Sequence, residues 1–377
     1  MITSVLILVL LSVLVCASMF RRRAARSERV LIIGATPLAR QVIAAINGRA
    51  KVRHHLAGVV DDLSATRPPI GAPVDGPLDR LGAIIAERRP DRIVVTLADR
   101  RGRLPMRELL DARVRGVVVE DGVEYYERLT GKIAIEALTP SNLIASRDFR
   151  KSHFDLAFAH AVSLVVSLVA LVALLPLLAV IALLVALDSP GPVFFVHDRI
   201  GFRGRRVRLL KFRTMREAEG PTSEWTGDNG HRITRVGKWL RKYRLDELPQ
   251  LVNVLRGELN LVGPRPHPVS NFALFSKEIP YYSLRAVVRP GITGWAQVRQ
   301  GYANSLGEET EKMRHDLYYI KHMSAWLDLR ILCRTIGIVL AGNESPAVAH
   351  REPRPLSVWR LGWLRLAAVR SARTIRG

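Results

Sequence analysis

Ala170-Leu171-Val172-Ala173-Leu174-Leu175-Pro176-Leu177-Leu178-Ala179-Val180 is the middle of an apolar segment that runs from Phe154 to Leu187, interrupted by Asp155, His160 and a few serines. As one straight helix, at about 1.5 Å per residue, the segment measures roughly 50 Å, more than a ~30 Å hydrocarbon core takes without strong tilt. Pro176 removes a backbone bond and kinks a helix at that point. Arg150 and Lys151 precede the segment, and Arg199, Arg203, Arg205, Arg206, Arg208 and Lys211 follow it. Basic flanks resist translocation, so both ends are expected on the cytoplasmic side. A re-entrant helix over 154-187, dipping into one leaflet and bending back at Pro176, satisfies length, proline and charge together. An ordinary tilted span is the alternative, and the physics alone leaves both open.

The 377 residues suffice for two or three domains, at about 100 to 200 residues each. A net charge of +23 and a pI near 11.0 call for an anionic partner: nucleic acid, anionic lipid or a phosphorylated small molecule. Cys16 and Cys333 are the two cysteines, so no disulfide framework or metal cluster is indicated. Residues 1-24 are expected to form a transmembrane anchor, because residues 2–20 are nearly all apolar and Arg21-Arg22-Arg23 follows them. No basic region precedes that stretch, which argues against a cleaved signal peptide. Residues 343-377 read as a basic amphipathic tail, with Trp359, Trp363 and Leu366 interleaved with Arg360, Arg365 and Arg370, suited to an anionic lipid surface.

From residue 25 to 148, short β-branched runs at 30–33, 58–60, 93–96 and 117–119 alternate with helical patterns, the signature of a parallel, doubly wound, Rossmann-like sheet. The first turn, Gly34-Ala35-Thr36-Pro37, has Thr36 and Pro37 where a second glycine would let backbone approach a pyrophosphate. A structural or regulatory role is therefore expected there in place of cofactor binding. After the apolar segment, residues 193–196 and 207–210 read as a hairpin around a Gly201 to Gly204 loop, and helical patterns follow at 234–243, 246–255, 271–275, 308–322 and 327–340. The fold class expected is α/β: an N-terminal anchor, a Rossmann-like domain over 25-148, and a mainly α, membrane-embedded catalytic domain over 149-342 with a small β-hairpin.

Asp246 and Glu247 lie between Arg241, Lys242 and Arg244 on one side and Arg256 on the other. Asp246 sits where a helix N-cap is expected, with Pro249 in the first turn, and capping alone would account for an arbitrary Asp-Glu pair. The basic neighbours favour a second reading, in which the pair stays ionised and phosphates gather around it. Lys211 and Arg213 at a strand end, Arg265 between Pro264 and Pro266, and Arg289 before Pro290-Gly291 are further candidates for phosphate contact. In the run 290–298, Trp295 would either bracket a nucleotide base or pack in the core. The histidines, His197, His231, His267, His315 and His322 among them, show no metal-ligand spacing; a hard cation on a carboxylate and substrate phosphates suits the site better.

Six ordered segments resemble the bacterial sugar transferases, the monotopic phosphoglycosyl transferases that load undecaprenyl phosphate in exopolysaccharide and glycan assembly. They are Gly191-Pro192-Val193-Phe194-Phe195, Lys211-Phe212-Arg213-Thr214-Met215, Asp246-Glu247-Leu248-Pro249-Gln250-Leu251, Val262-Gly263-Pro264-Arg265-Pro266, residues 289–298 and Asp316-Leu317-Tyr318-Tyr319. Tyr126-Glu127-Arg128-Leu129-Thr130-Gly131-Lys132 resembles the N-terminal region of the larger members. The resemblance implies that Asp246 is a nucleophile and Glu247 a Mg²⁺ ligand. It implies a UDP-sugar donor and an undecaprenyl phosphate acceptor, with Lys211, Arg213, Arg241, Arg265, Arg289 and Thr293 as phosphate and nucleotide contacts. It also implies a bacterial inner-membrane protein whose active site faces the cytoplasm, a re-entrant helix, and glucose or galactose as the sugar. The chain departs from the pattern at Leu175, where a serine often precedes the proline, at His197 in place of glutamine, and at Gln300-Gly301-Tyr302.

Two other classes compete. A membrane-anchored, NAD-dependent enzyme modifying nucleotide sugars would use the N-terminal sheet, against which the missing second glycine argues. A nucleic-acid-binding protein would explain the charge, but no reading motif is present and the basic residues flank apolar segments, so no nucleic-acid partner is expected.

Overall fold

The computed structural model describes residues 27–48, 54–62, 70–97, 104–138, 149, 151–216, 232–300 and 305–342. The anchor expected over 1-24, the tail over 343-377, and His231, Gly301 and Tyr302 lie outside them.

The N-terminal half is a four-stranded parallel sheet in the order β2-β1-β3-β4. Its strands are β1 (Glu28–Ile33), β2 (His54–Val60), β3 (Arg92–Val95) and β4 (Val118–Asp121). Helices α1 (Pro37–Asn47), α2 (Leu81–Arg88), α3 (Met106–Val114) and α4 (Gly122–Thr130) cover it. Strand alternation makes two apolar layers. Val30, Ile32, Val59 and Val94 pack with α1 and with Tyr125 and Tyr126 of α4, while Leu31, Ile33, Val60, Ile93 and Val95 pack with Leu81, Ile84 and Leu109. Thr36 caps α1 by accepting from the Ala39 N–H, ahead of Pro37 in the first turn.

The crevice at the carboxyl ends of β1 and β3, where the strand order reverses, is filled by the chain itself. Asp61 Oδ2 accepts from the Ala35 N–H at 2.8 Å, and the Thr96 hydroxyl lies 2.7 Å from the Gly34 carbonyl. A Cβ on Gly34 would stand 2.8 Å from Leu97, so a larger residue does not fit the turn.

Beyond Gly131 (φ +68) the chain leaves the sheet and enters the second half. Ile133 and Ile135 share one core with Val262, Phe275, Trp295, Leu317 and Tyr319. The boundary expected at residue 148 therefore falls after the packing boundary, which lies at about Gly131.

Helix α5 (His153–Asp188) carries the whole apolar segment, with Pro176 inside it, and is the one helix among the described residues long and apolar enough to cross a membrane. Much of its surface is bare: Phe154, Val165, Val169, Val172, Leu183 and Leu187 are all exposed. The hairpin follows as β5 (Phe194–Ile200) and β6 (Arg206–Phe212), longer than expected at both strands. Then come α6 (Arg235–Lys242), α7 (Gln250–Leu255), β7 (Asn260–Val262), α8 (Val269–Glu278), β8 (Gly291–Thr293), α9 (Trp295–Arg299), α10 (Leu306–His322) and α11 (Ala325–Ala341). The parallel pair of β7 and β8 carries no sequence signal, because three residues are too few to show alternation. The helix expected at 246–255 is split: Leu245–Glu247 forms a 3₁₀ turn, and α7 begins after Pro249.

Candidate active site

The split decides what the two carboxylates do. Arg244 enters the 3₁₀ turn in the left-handed region (φ 57), and neither that turn nor α7 has a side-chain cap. Capping does not account for Asp246 and Glu247.

Three elements converge on them. Strand β6 delivers Lys211, whose Nζ donates to Glu247 Oε1 at 2.9 Å. The loop after β7 delivers Arg265, which donates to Glu247 through Nη2 at 2.5 Å and Nη1 at 3.1 Å, the two-pronged geometry that suits a carboxylate. Helix α6 brings Arg241 close enough to act electrostatically on Asp246. Leu245 and Leu248, on either side of the pair, join Ile181 and Val185 of α5 in one apolar cluster, so the site lies against the carboxyl-terminal third of that helix.

The register of this assembly is stitched by Asn253, which is fully buried. Its Oδ1 accepts from the Leu210 N–H at 3.0 Å, and its Nδ2 donates to the Arg208 carbonyl at 2.8 Å, locking α7 to the strand that carries Lys211. Behind Arg265, Arg285 donates to the Arg265 carbonyl at 3.1 Å and pairs with Glu309 at 2.9 Å and Asp316 at 2.8 Å. Tyr282 hydroxyl links the same group to His267 at 2.7 Å. Sequence reasoning missed this network; the available signal was Glu309 and Asp316, seven apart and thus on one face of α10.

The two carboxylates are electrically distinct. Burial pushes Glu247 up, but Arg265 and Lys211 outweigh it and hold its carboxyl well below the usual range. Burial, then the charge of Glu247, pushes Asp246 above the usual aspartate range, against the pull of Lys211, Arg265 and Arg241. Burial likewise lowers Lys211, and it holds His267 well below an ordinary histidine with help from Arg285.

The other expected contacts lie elsewhere. Arg213 donates to the carbonyls of Val185 and Ser189 at the end of α5. Arg289 stands over the Phe202 ring and donates to the Gly257 carbonyl at 3.3 Å. Thr293 is buried with its hydroxyl 2.7 Å from that of Thr335. Trp295 is 4% exposed; its indole N–H donates to the Gly131 carbonyl at 2.8 Å and its ring stacks on Tyr318, so it packs in the core and does not bracket a base.

Glu247 offers about four acceptor positions, of which Lys211 and Arg265 use three, leaving one on Oε2 beside Asp246. No group of three or more His, Cys, Asp or Glu is placed to hold a metal ion among the described residues. One carboxylate with phosphate and water as the remaining ligands is a donor set that suits Mg²⁺.

The profile of the family described as bacterial sugar transferase matches residues 154–342. The UDP-N-acetylgalactosamine-undecaprenyl-phosphate N-acetylgalactosaminephosphotransferase of Aeromonas hydrophila is 41% identical over 217 residues, 57% of this chain and 51% of that protein. The undecaprenyl-phosphate glucose phosphotransferase of Komagataeibacter xylinus is 35% identical over 326 residues, 84% of this chain and 59% of that protein, a match that reaches into the N-terminal sheet. The exopolysaccharide production protein PSS of Rhizobium leguminosarum bv. phaseoli is 40% identical over 191 residues, 48% of this chain and 94% of that protein. The chain thus spans little more than half the length of the first two.

Proposed function

Since the chain belongs to the bacterial sugar transferase family, we propose that it transfers a sugar 1-phosphate from a UDP-sugar to undecaprenyl phosphate, the step that starts an exopolysaccharide or other glycan. The names of the Aeromonas and Komagataeibacter relatives support the acceptor. The observation that carries the reading is the convergence of Lys211 and Arg265 on Glu247 beside Asp246, next to the membrane helix.

In the proposed reaction an Asp246 carboxylate oxygen attacks the β-phosphorus of the donor, and the bond to UMP breaks with its electron pair leaving on UMP. The aspartyl phosphosugar is then attacked by an oxygen of undecaprenyl phosphate, and Asp246 leaves as a carboxylate. A carboxylate nucleophile needs its target's charge neutralised more than it needs a base. Lys211, Arg265 and Arg241 supply fixed positive charge for that purpose. Glu247 would hold Mg²⁺, which would neutralise charge on the diphosphate.

Helix α5 is read as re-entrant, with the active site at the cytoplasmic face of the inner membrane. Support comes from its two ends, which both engage the same folded body. His160 Nδ1 lies 2.8 Å from Asn260 Oδ1 and Ser163 Oγ accepts from the Leu261 N–H, while Ile181 and Val185 pack on Phe212 and Leu240. Basic residues flank both ends as well, Arg150 and Lys151 before the helix and Arg199 and Arg203 after it. The N-terminal sheet is read as a Rossmann-like unit with a structural or regulatory role. The NAD-dependent alternative meets a crevice already filled by Asp61, Thr96 and Leu97.

Incubation with radiolabelled UDP-sugars and Mg²⁺, without lipid, is expected to leave a sugar-labelled protein band and an equal amount of UMP. An Asp246→Asn protein that still turns over would place the nucleophile elsewhere. Cysteines introduced just outside 154 and 187 should both label from the cytoplasmic side; labelling from opposite sides would establish a through-span.

A further inference from the structure

Arg213 is 6% exposed and lies beneath the carboxyl end of α5. Its Nη2 donates to the Ser189 carbonyl at 2.5 Å, with the Ser189 hydroxyl at 3.1 Å and the Val185 carbonyl at 3.3 Å. The last turn of a helix has carbonyls with no amide left to serve them and carries the negative end of the dipole, so a buried guanidinium is a strong fastener there. Gly191 makes room for it: at φ +113, a Cβ on Gly191 would stand 2.6 Å from Arg213 Nη1. The Gly191-Pro192 turn and Arg213 are thus two parts of one fitting.

That fitting joins the membrane helix to the reactive residues by two routes. Lys211, two residues before Arg213, is the partner of Glu247. Asp188, the last residue of α5, accepts from the Val236 N–H at 2.9 Å, in the first turn of α6, the helix that carries Arg241. We propose that Arg213 is a positioning residue: by tying the end of α5 to β6, it sets the height of Asp246 and Glu247 over the membrane helix and so governs capture of the lipid-borne acceptor. The inference rests on the reaction proposed above. One helical residue is about 1.5 Å of height, and a misplacement of about 1 Å costs on the order of 100-fold in reactivity. A donor arriving from water is indifferent to that height, whereas a phosphate at the end of a lipid is held to it.

The test uses full-length protein in nanodiscs and separates the two half-reactions. For Arg213→Met, adduct formation from UDP-sugar without acceptor should stay within about 3-fold of wild type, while KM for polyprenyl phosphate rises at least about 10-fold. Arg213→Lys, which keeps one donor toward the Ser189 carbonyl, should recover part of the loss, and Ser189→Ala should show a smaller rise. Equal loss in both half-reactions, or an unchanged acceptor KM, overturns the proposal. A readout independent of activity is a bimane label on Lys238→Cys, in a Cys16→Ser, Cys333→Ser background, quenched by brominated lipid. Arg213→Met, or Arg213→Lys if the methionine variant does not fold, should change quenching by about 2-fold or more, a signal that follows depth steeply on the scale of one helical turn. Unchanged quenching overturns the proposal. A wild-type protein that forms no adduct would defeat the proposed function, and the quenching result would still decide the role of Arg213.

Discussion

At the scale of single residues, two adjacent carboxylates are held in different electrostatic states by what touches them. Glu247 is 6% exposed and holds two cationic side chains, so it is fixed as an anion and organises the cluster. Replacing Arg265 by methionine leaves a buried carboxylate with only Lys211, and a loss of about 3 kcal/mol in unfolding free energy is expected, measurable by denaturant titration. Arg265→Lys keeps the charge but loses the paired bonds, and adduct formation should fall about 100-fold. Asp246, Glu247, Lys211, Arg241 and Arg265 were all named from sequence, and the structure brings them together. Arg213 was named with them, but its place at the end of α5 could not be read, for a physical reason: residues two apart share a face only while a strand continues, and β6 ends at Phe212. Arg289 and Thr293 sit in motif positions, yet their partners, Gly257 and Thr335, are more than thirty residues away in sequence, where local pattern carries no information.

At the scale of elements, the site is held from behind by α10 and α11. Tyr319 donates to Asp328 Oδ1 at 2.8 Å, and burial pushes Asp328 up to about 6. Because the folded value is raised above the ordinary aspartate value, its contribution to stability is present below about pH 4 and is lost as pH rises through about 6. Asp328→Asn mimics the neutral form without titrating. Relative to wild type, the variant should gain on the order of 2 kcal/mol between pH 4 and pH 7, read from urea midpoints at the two values. A difference independent of pH would show that Asp328 does not titrate in this range. The helices themselves were readable from their periodicity. The break at Pro249, which turns one expected helix into a 3₁₀ turn plus α7, was not, because proline is equally at home in the first turn of a continuous helix.

At the scale of the whole molecule, the two halves share a core. The Gly131 carbonyl accepts from Trp295 Nε1 at 2.8 Å, with His315 Nδ1 3.1 Å away, and the Thr130 carbonyl accepts from Arg299 at 2.9 Å. Glu127 is paired with Lys321 at 2.9 Å. Ile133→Ala should therefore cost about 3 kcal/mol and shift a single unfolding transition reported by both halves. Two separate transitions, with only the N-terminal one moved, would contradict a shared core. Sequence placed the parallel sheet and the long apolar helix, but residues 131–138 read as part of the N-terminal domain, because the apolar residues of this strap pack on partners more than a hundred residues away. The central claim of the account is covalent: Asp246 carries the sugar phosphate between donor and lipid. Intact-protein mass spectrometry after incubation with a UDP-sugar and Mg²⁺, followed by peptide mapping, tests it most directly. The account predicts a mass increase of one phosphosugar on the peptide containing Asp246, absent from Asp246→Asn and discharged by polyprenyl phosphate. Turnover with no adduct, or an adduct on another residue, would contradict it.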